Sequence, residues 1–207
     1  LKRQLEEIIN SKNLLQEKQD IIENLAFYDQ LTKLPNRESL KEYIKSEFKD
    51  CPDNEKHALI YIDLDDFKLI NDTFGHTEGD RFLINIGNKL NDITKNNNAC
   101  AFRIGGDEFV ITLKNIEHKE SVTEFIDNLM TIFKEPFLLE ENYLNINFCA
   151  GIVLYPENGD NYEELLKKAD TAMYDMKENG KNGYAYYKPI MNQVVTERVT
   201  ILSNLKN

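Results

Sequence analysis

Apolar residues recur at helical spacing over residues 1–27. Leu1, Leu5, Ile8, Leu15, Ile22 and Leu25 share one stripe, and the segment contains neither Gly nor Pro. Leu1, Ile8, Leu15 and Ile22 form a heptad series, yet their companions Gln4, Ser11 and Lys18 are polar, so a helix with a weak coiled-coil seam is predicted. At roughly 1.5 Å per residue it would be about 40 Å long. That length suits a parallel dimerisation or signalling helix better than one folded back on a domain.

Pro35 ends this pattern, and Asn36 can cap a helix over 37–49. The intervening turn, Asp29 to Arg37, is bracketed by opposite charges, which would pin it. Ala58–Leu64 is nearly all apolar and reads as a central buried strand. Asn71 to Asp80 reads as a polar loop punctuated by glycines. A helix follows over about 80–93, with Phe82, Leu83, Ile86 and Leu90 inward. Two apolar runs, Ala99–Ile104 and Phe109–Leu113, flank Gly105-Gly106 and predict a hairpin. Residues 121–133 and 162–178 have amphipathic helical patterns. Residues 137–139 and 143–155 read as a second hairpin turning at 140–142, and 184–187 as a last strand. The tail from Met191 is helix-like, with no expected partner in the domain. From Asn36 the order is α-β-α-β-β-α-β-β-α-β, an α+β sandwich with one mainly antiparallel sheet.

Composition narrows the function. With 25 basic and 36 acidic residues the net charge is −11, which argues against a phosphate-backbone binder. An acidic protein handling phosphates needs metal ions or a few local cations. Cys100 and Cys149 fall in strand-like runs and read as reduced core thiols of a cytoplasmic protein, with Cys51 the odd one out. No membrane span or signal peptide is visible, so no membrane contact is expected of this segment, whatever tethers a parent protein. The two common phosphate-loop motifs, nucleophile triads and Cys/His zinc spacings are missing from the sequence.

What remains is a set of acids. The buried strand runs into Asp63-Leu64-Asp65-Asp66-Phe67-Lys68, and acids there are costly unless solvated, paired or metal-bound. Asp107 and Glu108 stand at the Gly-Gly hairpin tip. If the two strands are neighbours, Asp63, the Leu64 carbonyl, Asp107 and Glu108 form a hard oxygen site suited to Mg²⁺ shared with substrate phosphates. A two-metal site of this kind supports in-line attack of a hydroxyl on phosphorus. Asn71 and Asp80 could read a guanine edge, although Asp80 taken alone suits a helix cap better than a ligand. Lys177 and Lys181 could meet distal phosphates or simply offset a helix dipole.

The motifs Asp29-x-Leu-Thr-x-Leu-Pro-Asn-Arg37, Asp63-x-Asp-x-Phe-Lys68, Asn71-Asp72, Gly75-His76-x-x-Gly-Asp80, Gly105-Gly-Asp-Glu-Phe109 and Ala169-Asp-x-Ala-Met-Tyr174-x-x-Lys177 occur in order. Together they resemble the GGDEF-domain diguanylate cyclases over about 29–187. The resemblance implies a polymerase-palm-like (ferredoxin-like) fold with a five-stranded sheet flanked by helices. It divides the chain into a signalling helix (1–27), a GGDEF domain (28–188) and a linker helix (189–207). It implies condensation of two GTP into cyclic di-GMP across a homodimer, with Mg²⁺ or Mn²⁺ as cofactor. By position, Asp63, Leu64, Asp107 and Glu108 would hold metal, with Asp107 also the base for the 3′-hydroxyl. Asn71, His76 and Asp80 would line the nucleoside pocket, and Phe67, Lys68, Lys177 and Lys181 the phosphates. His76 equally suits a loop histidine bonding its own turn.

Two departures stand out. The family often has Arg where this chain has Lys181, which keeps the charge but loses the two-pronged donor. The family's product-inhibition pair, Arg-x-x-Asp, is replaced by Asn96-Asn97-Asn98-Ala99, which predicts loss of that feedback. The tail 196–207 resembles the link to a following EAL phosphodiesterase domain. An upstream sensor and a downstream EAL domain are therefore expected partners, and the alternative function is a catalytically silent GTP-binding regulator of that phosphodiesterase.

Overall fold

The apolar run His57–Leu64 forms strand β1, and all of it is buried. A strand covered on both faces must lie inside a sheet with layers on each side. In this computed structural model, which describes residues 2–48, 55–95, 98–139 and 141–192, β1 is the central strand of five. Its antiparallel neighbours are β3 (Glu108–Leu113) and β6 (Phe148–Tyr155). Outside them lie β2 (Ala99–Gly105), antiparallel to β3, and β7 (Gly183–Tyr186), parallel to β6.

Alternation along β1 sends its side chains into two cores. Ala58, Ile60 and Ile62 join Phe82, Ile86, Ile126 and Leu129 on the face covered by α4 (His76–Thr94) and α5 (Lys119–Phe133). Leu59 and Tyr61 join Leu40, Leu165, Ala169 and Met173 on the face covered by α2 (Arg37–Tyr43) and α6 (Tyr162–Glu178). The helix before them, α1 (Lys2–Phe27), leaves Leu15, Ile22 and Leu25 largely exposed at 68%, 64% and 58%.

Several expectations need correction. The stretch 71–80 is helical: α3 (Phe67–Phe74) carries Phe67 and Ile70 inward, and Gly75, at φ 82°, ends it and starts α4. Its polar residues other than Glu78 are exposed or half-buried on α3 and the first turns of α4, so Asp80 is in the second turn of α4 rather than at its cap. The strand expected over 143–155 is two elements. Asn142–Leu144 (β5) pairs with Phe137–Leu139 (β4) in a separate ribbon, and β6 begins only at Phe148. The break falls at Asn145 and Asn147, poor strand formers, and the Asn147 carbonyl instead accepts the Asp65 N–H at 2.9 Å. Asn36 does cap α2, accepting from the Glu38 and Ser39 N–H groups at 3.0 and 3.1 Å, but the helix passes into a π-helical turn over Ile44–Phe48. At the other end, Met191 is buried in the second core and Asn192 Nδ2 donates to the Tyr187 hydroxyl at 2.8 Å, so the tail begins with partners. The tail from residue 193, together with Cys51, Asn96 and Asn97, lies outside the described residues.

His57 opens β1 without exposed surface, stacked on Phe48 at 4.6 Å, its Nδ1 accepting the Asn115 N–H at 3.2 Å. Burial holds its pKa below the usual histidine value, with Lys114 adding to this against Glu55 and Glu47. A histidine kept neutral by folding contributes stability that is present above its unfolded pKa of about 6.5 and is lost as pH falls below it. Urea melts from pH 7.5 to 5.5 should therefore show a loss of up to about 1.4 kcal/mol per pH unit from this one proton. His57→Gln should remove that component. Equal slopes in both proteins would clear His57 of the effect.

Candidate active site

Pairing of β1 with β3 sets Asp63 opposite Glu108, and the Leu64 N–H donates to the Asp107 carbonyl at 3.3 Å. Acids far apart in the sequence thus meet at one edge of the sheet, as the strand reading requires. Directly opposed residues share a face, and here it is the α6 face. Lys177, in the last turn of α6, puts Nζ 2.6 Å from Asp63 Oδ1. The ammonium meets that buried oxygen as a close ion pair.

Electrostatics reflect this crowding. Burial raises the Asp63 pKa; Lys177 pulls it down, while Asp107 and Glu108 push it further up, and the net shift is upward. Burial disfavours the charged form of Lys177, but Asp63, Asp107 and Asp65 outweigh it and raise its pKa. The Tyr61 hydroxyl is buried near Glu108, and its pKa is raised by burial and then by that carboxylate. Tyr61 escaped the sequence reading, although it lies two residues before Asp63 and hence on the same face.

Lys181 Nζ pairs with Asp66 Oδ1 at 2.9 Å on the surface. Asp66 stands at the start of α3 in the left-handed region, φ 59°, and makes no side-chain cap. Lys68 is exposed on α3. The Phe67 ring is buried and stacked on Phe82 at 6.1 Å.

The nucleoside candidates lie where α3 meets α4. A Cβ on Gly79 would fall 2.0 Å from Asn71 Oδ1. Glycine at 79 is thus what lets the Asn71 amide lie beside the α4 backbone, one residue from Asp80. Asp80 and His76 are exposed on α4. Among the described residues no three acid, imidazole or thiol side chains are close enough to enclose an ion by themselves.

The hairpin tip is held from a direction the sequence did not reveal. Arg103 Nη1 pairs with Asp29 Oδ1 at 2.8 Å, while its Nε and Nη2 donate to the Gly106 carbonyl at 3.0 and 2.7 Å. Asp29 also accepts from the Thr32 N–H and hydroxyl at 2.8 and 2.7 Å. Burial would raise the Asp29 carboxyl, but these bonds from Thr32 and Arg103 hold it below its ordinary value. The expected Asp29–Arg37 pin is therefore an Asp29–Arg103 link, joining the end of α1 to the Gly-Gly turn. Both side chains are largely buried, so Arg103→Ala should lower stability by about 2–3 kcal/mol. An Asp29→Ala/Arg103→Ala double-mutant cycle read by urea unfolding should give a coupling above about 1 kcal/mol. A coupling near zero would show the link carries no energy.

A model of the family described as "Diguanylate cyclase, GGDEF domain" matches residues 26–183. Among characterised relatives, the bifunctional diguanylate cyclase/cyclic di-GMP phosphodiesterase MucR of Pseudomonas aeruginosa is 34% identical over 88% of this chain and 26% of its own length. Diguanylate cyclase TpbB of the same species is 32% identical over 86% of this chain and 41% of its own. The cyclic di-GMP phosphodiesterase PdeR of Escherichia coli is 32% identical over 91% of this chain and 28% of its own. The chain thus spans roughly a quarter to two fifths of these relatives. Among solved structures, the GGDEF domain of TpbB superposes with a TM-score of 0.73 at 29% identity, covering 82% of this chain and 99% of that one. The carboxylates at the β1–β3 edge, the Gly-Gly turn between them and these matches have one common reading: the chain belongs to the GGDEF domain family.

Proposed function

We propose that this chain is an active diguanylate cyclase, condensing two GTP into cyclic di-GMP with release of two pyrophosphates. The observation that carries the reading is the buried Asp63 carboxylate, paired with a lysine cation beside Asp107 and Glu108. A site that raises its own carboxylate pKa and draws in an ammonium is one a divalent cation would relieve. Asp63, the Leu64 carbonyl, Asp107 and Glu108 would hold Mg²⁺ or Mn²⁺, which neutralises phosphate charge and eases in-line attack at phosphorus. The open donor set fits Mg²⁺, which keeps waters and shares its shell with substrate phosphates. Asp107 takes the proton of the attacking 3′-hydroxyl, and Lys68, Lys177 and Lys181 bind the phosphates. The Asn71 amide and the Asp80 carboxylate bind the guanine edge, with His76 beside the nucleoside.

Each domain holds one GTP, so catalysis needs a second copy facing it. The exposed apolar stripe of α1 supports pairing of two copies along that helix. In this reading residues 1–27 transmit a signal from an upstream sensor, 28–188 catalyse, and 189–207 lead to an EAL domain, all in the cytoplasm. Relatives named as phosphodiesterases, PdeR among them, favour a second reading in which GTP binds without turnover and regulates a neighbouring phosphodiesterase. Incubation with GTP and Mg²⁺ should yield a cyclic dinucleotide. Binding without product supports the second reading, and a site that takes ATP as readily as GTP sinks both.

A further inference from the structure

Asp65 belongs to none of the sets above, yet it is buried, 6% exposed, beside the site. Its own N–H is fixed by the Asn147 carbonyl at 2.9 Å. Its carboxylate accepts from Cys149 Sγ at 3.3 and 3.6 Å and from the Asn182 N–H at 3.2 Å. Neutral donors, one of them a weak thiol, are poor compensation for a buried carboxylate. Burial and the neighbouring Asp65 push the Cys149 thiol up to about 12, so it stays protonated and donates.

The turn that Asp65 reaches is strained. Lys181 and Asn182 both lie in the left-handed region, at φ 55° and 50°. That region costs a residue such as Lys181 about 1–2 kcal/mol, although asparagine tolerates it, so the turn gains from an anchor. Sheet register explains how Asp65 supplies it: Cys149 pairs with Asp63 on β1 and with Gly183 on β7, placing the thiol between the two segments. Three rungs therefore stitch the end of β1 to the last turn of α6 and the turn after it: Asp63 to Lys177, Asp65 to the Asn182 backbone, and Asp66 to Lys181. On the nucleoside-triphosphate reading, the lysines of the first and third rungs would exchange carboxylate for phosphate. The middle rung uses no lysine and can persist.

Building on the nucleoside-triphosphate reading of the site, we propose that Asp65 is a positioning residue: through the Asn182 N–H it holds the α6–β7 turn so that Lys177 and Lys181 face the triphosphate. Asp65→Leu keeps the branched outline and removes the acceptor, whereas Asp65→Asn keeps an acceptor for Asn182. Calorimetric titration with Mg·GTP and, separately, with guanosine tells positioning from general damage. Asp65→Leu should lose about tenfold or more in Mg·GTP affinity and less than about twofold for guanosine, while Asp65→Asn stays within about threefold for both. Equal Mg·GTP affinity in Asp65→Leu and wild type, or parallel loss of GTP and guanosine, would overturn the proposal while leaving the nucleotide site in place. A wild-type chain that binds no Mg·GTP would remove the nucleotide reading and this proposal with it. Hydrogen exchange on the wild type gives an answer even if Asp65→Leu does not fold. The Asn182 amide should be protected both free and with Mg·GTP, and fast exchange in the bound state would overturn the proposal.

Discussion

Asp107→Asn is expected to stop cyclic dinucleotide formation while GTP still binds. Asp107 is half-buried at the hairpin tip, and its field reaches both Asp63 and Lys177. The amide keeps the shape of the side chain but can neither accept a proton nor offer a metal the same charge. Loss of a general base typically lowers turnover by about 10²–10⁴-fold, and loss of metal charge adds to this. Affinity should fall much less on the proposed reading, because the residues it assigns to guanine and phosphate lie on α3, α4, α6 and the turn after α6. Asp63 should also ionise more readily once the neighbouring negative charge is gone. Product chromatography over a GTP time course, paired with calorimetric titration of GTP, separates the two effects. Unchanged turnover would remove Asp107 from the mechanism.

Gly151→Ala should produce the largest loss of stability. Gly151 lies in β6 directly beneath α6, and a Cβ there would stand 1.9 Å from the Ala169 carbonyl oxygen and 2.4 Å from the Met173 nitrogen. Those are backbone atoms of consecutive helical turns, so no side chain can swing aside. The helix must lift from the sheet, opening gaps around Leu165, Ala169 and Met173, all buried in the second core. Overpacking of this kind costs about 3 kcal/mol, or a fall of roughly 6–12 °C in thermal midpoint for a domain of this size. Lys177 is one turn beyond Met173, so the lift also draws its ammonium away from Asp63. Reduced GTP affinity should accompany the lower midpoint. A variant melting within about 2 °C of wild type would mean that α6 is not seated as described.

The Gly105-Gly106 hairpin with Asp107 and Glu108 was legible because its ingredients are adjacent: two apolar runs, two glycines and two acids. The burial of β1 was legible from an unbroken apolar run. Helix α3 was not, since two inward residues, Phe67 and Ile70, are too few to declare a period against a polar background. The long strand expected after Tyr143 was broken by Asn145 and Asn147, a conflict that composition alone does not weigh. Phe67 and Lys68 are adjacent in one motif, yet one ring is buried in the core and the other side chain is in solvent, a division only packing makes. Asp29 was paired in sequence reading with the nearest arginine, Arg37, whereas the fold gives it Arg103.

By itself the sequence determined which residue types alternate, where chain direction must change, and that acids and lysines recur in the order of the GGDEF family. Those are local properties, written at periods of two or 3.6 residues. Tertiary structure decided which charges meet: Asp63 with Lys177, Asp65 with Asn182, Asp29 with Arg103. The first two follow from sheet order and register, the third from how the turn after α1 packs against β2. A one-residue slip in register would send every side chain of a strand to the opposite face, and register is not set by neighbours along the chain.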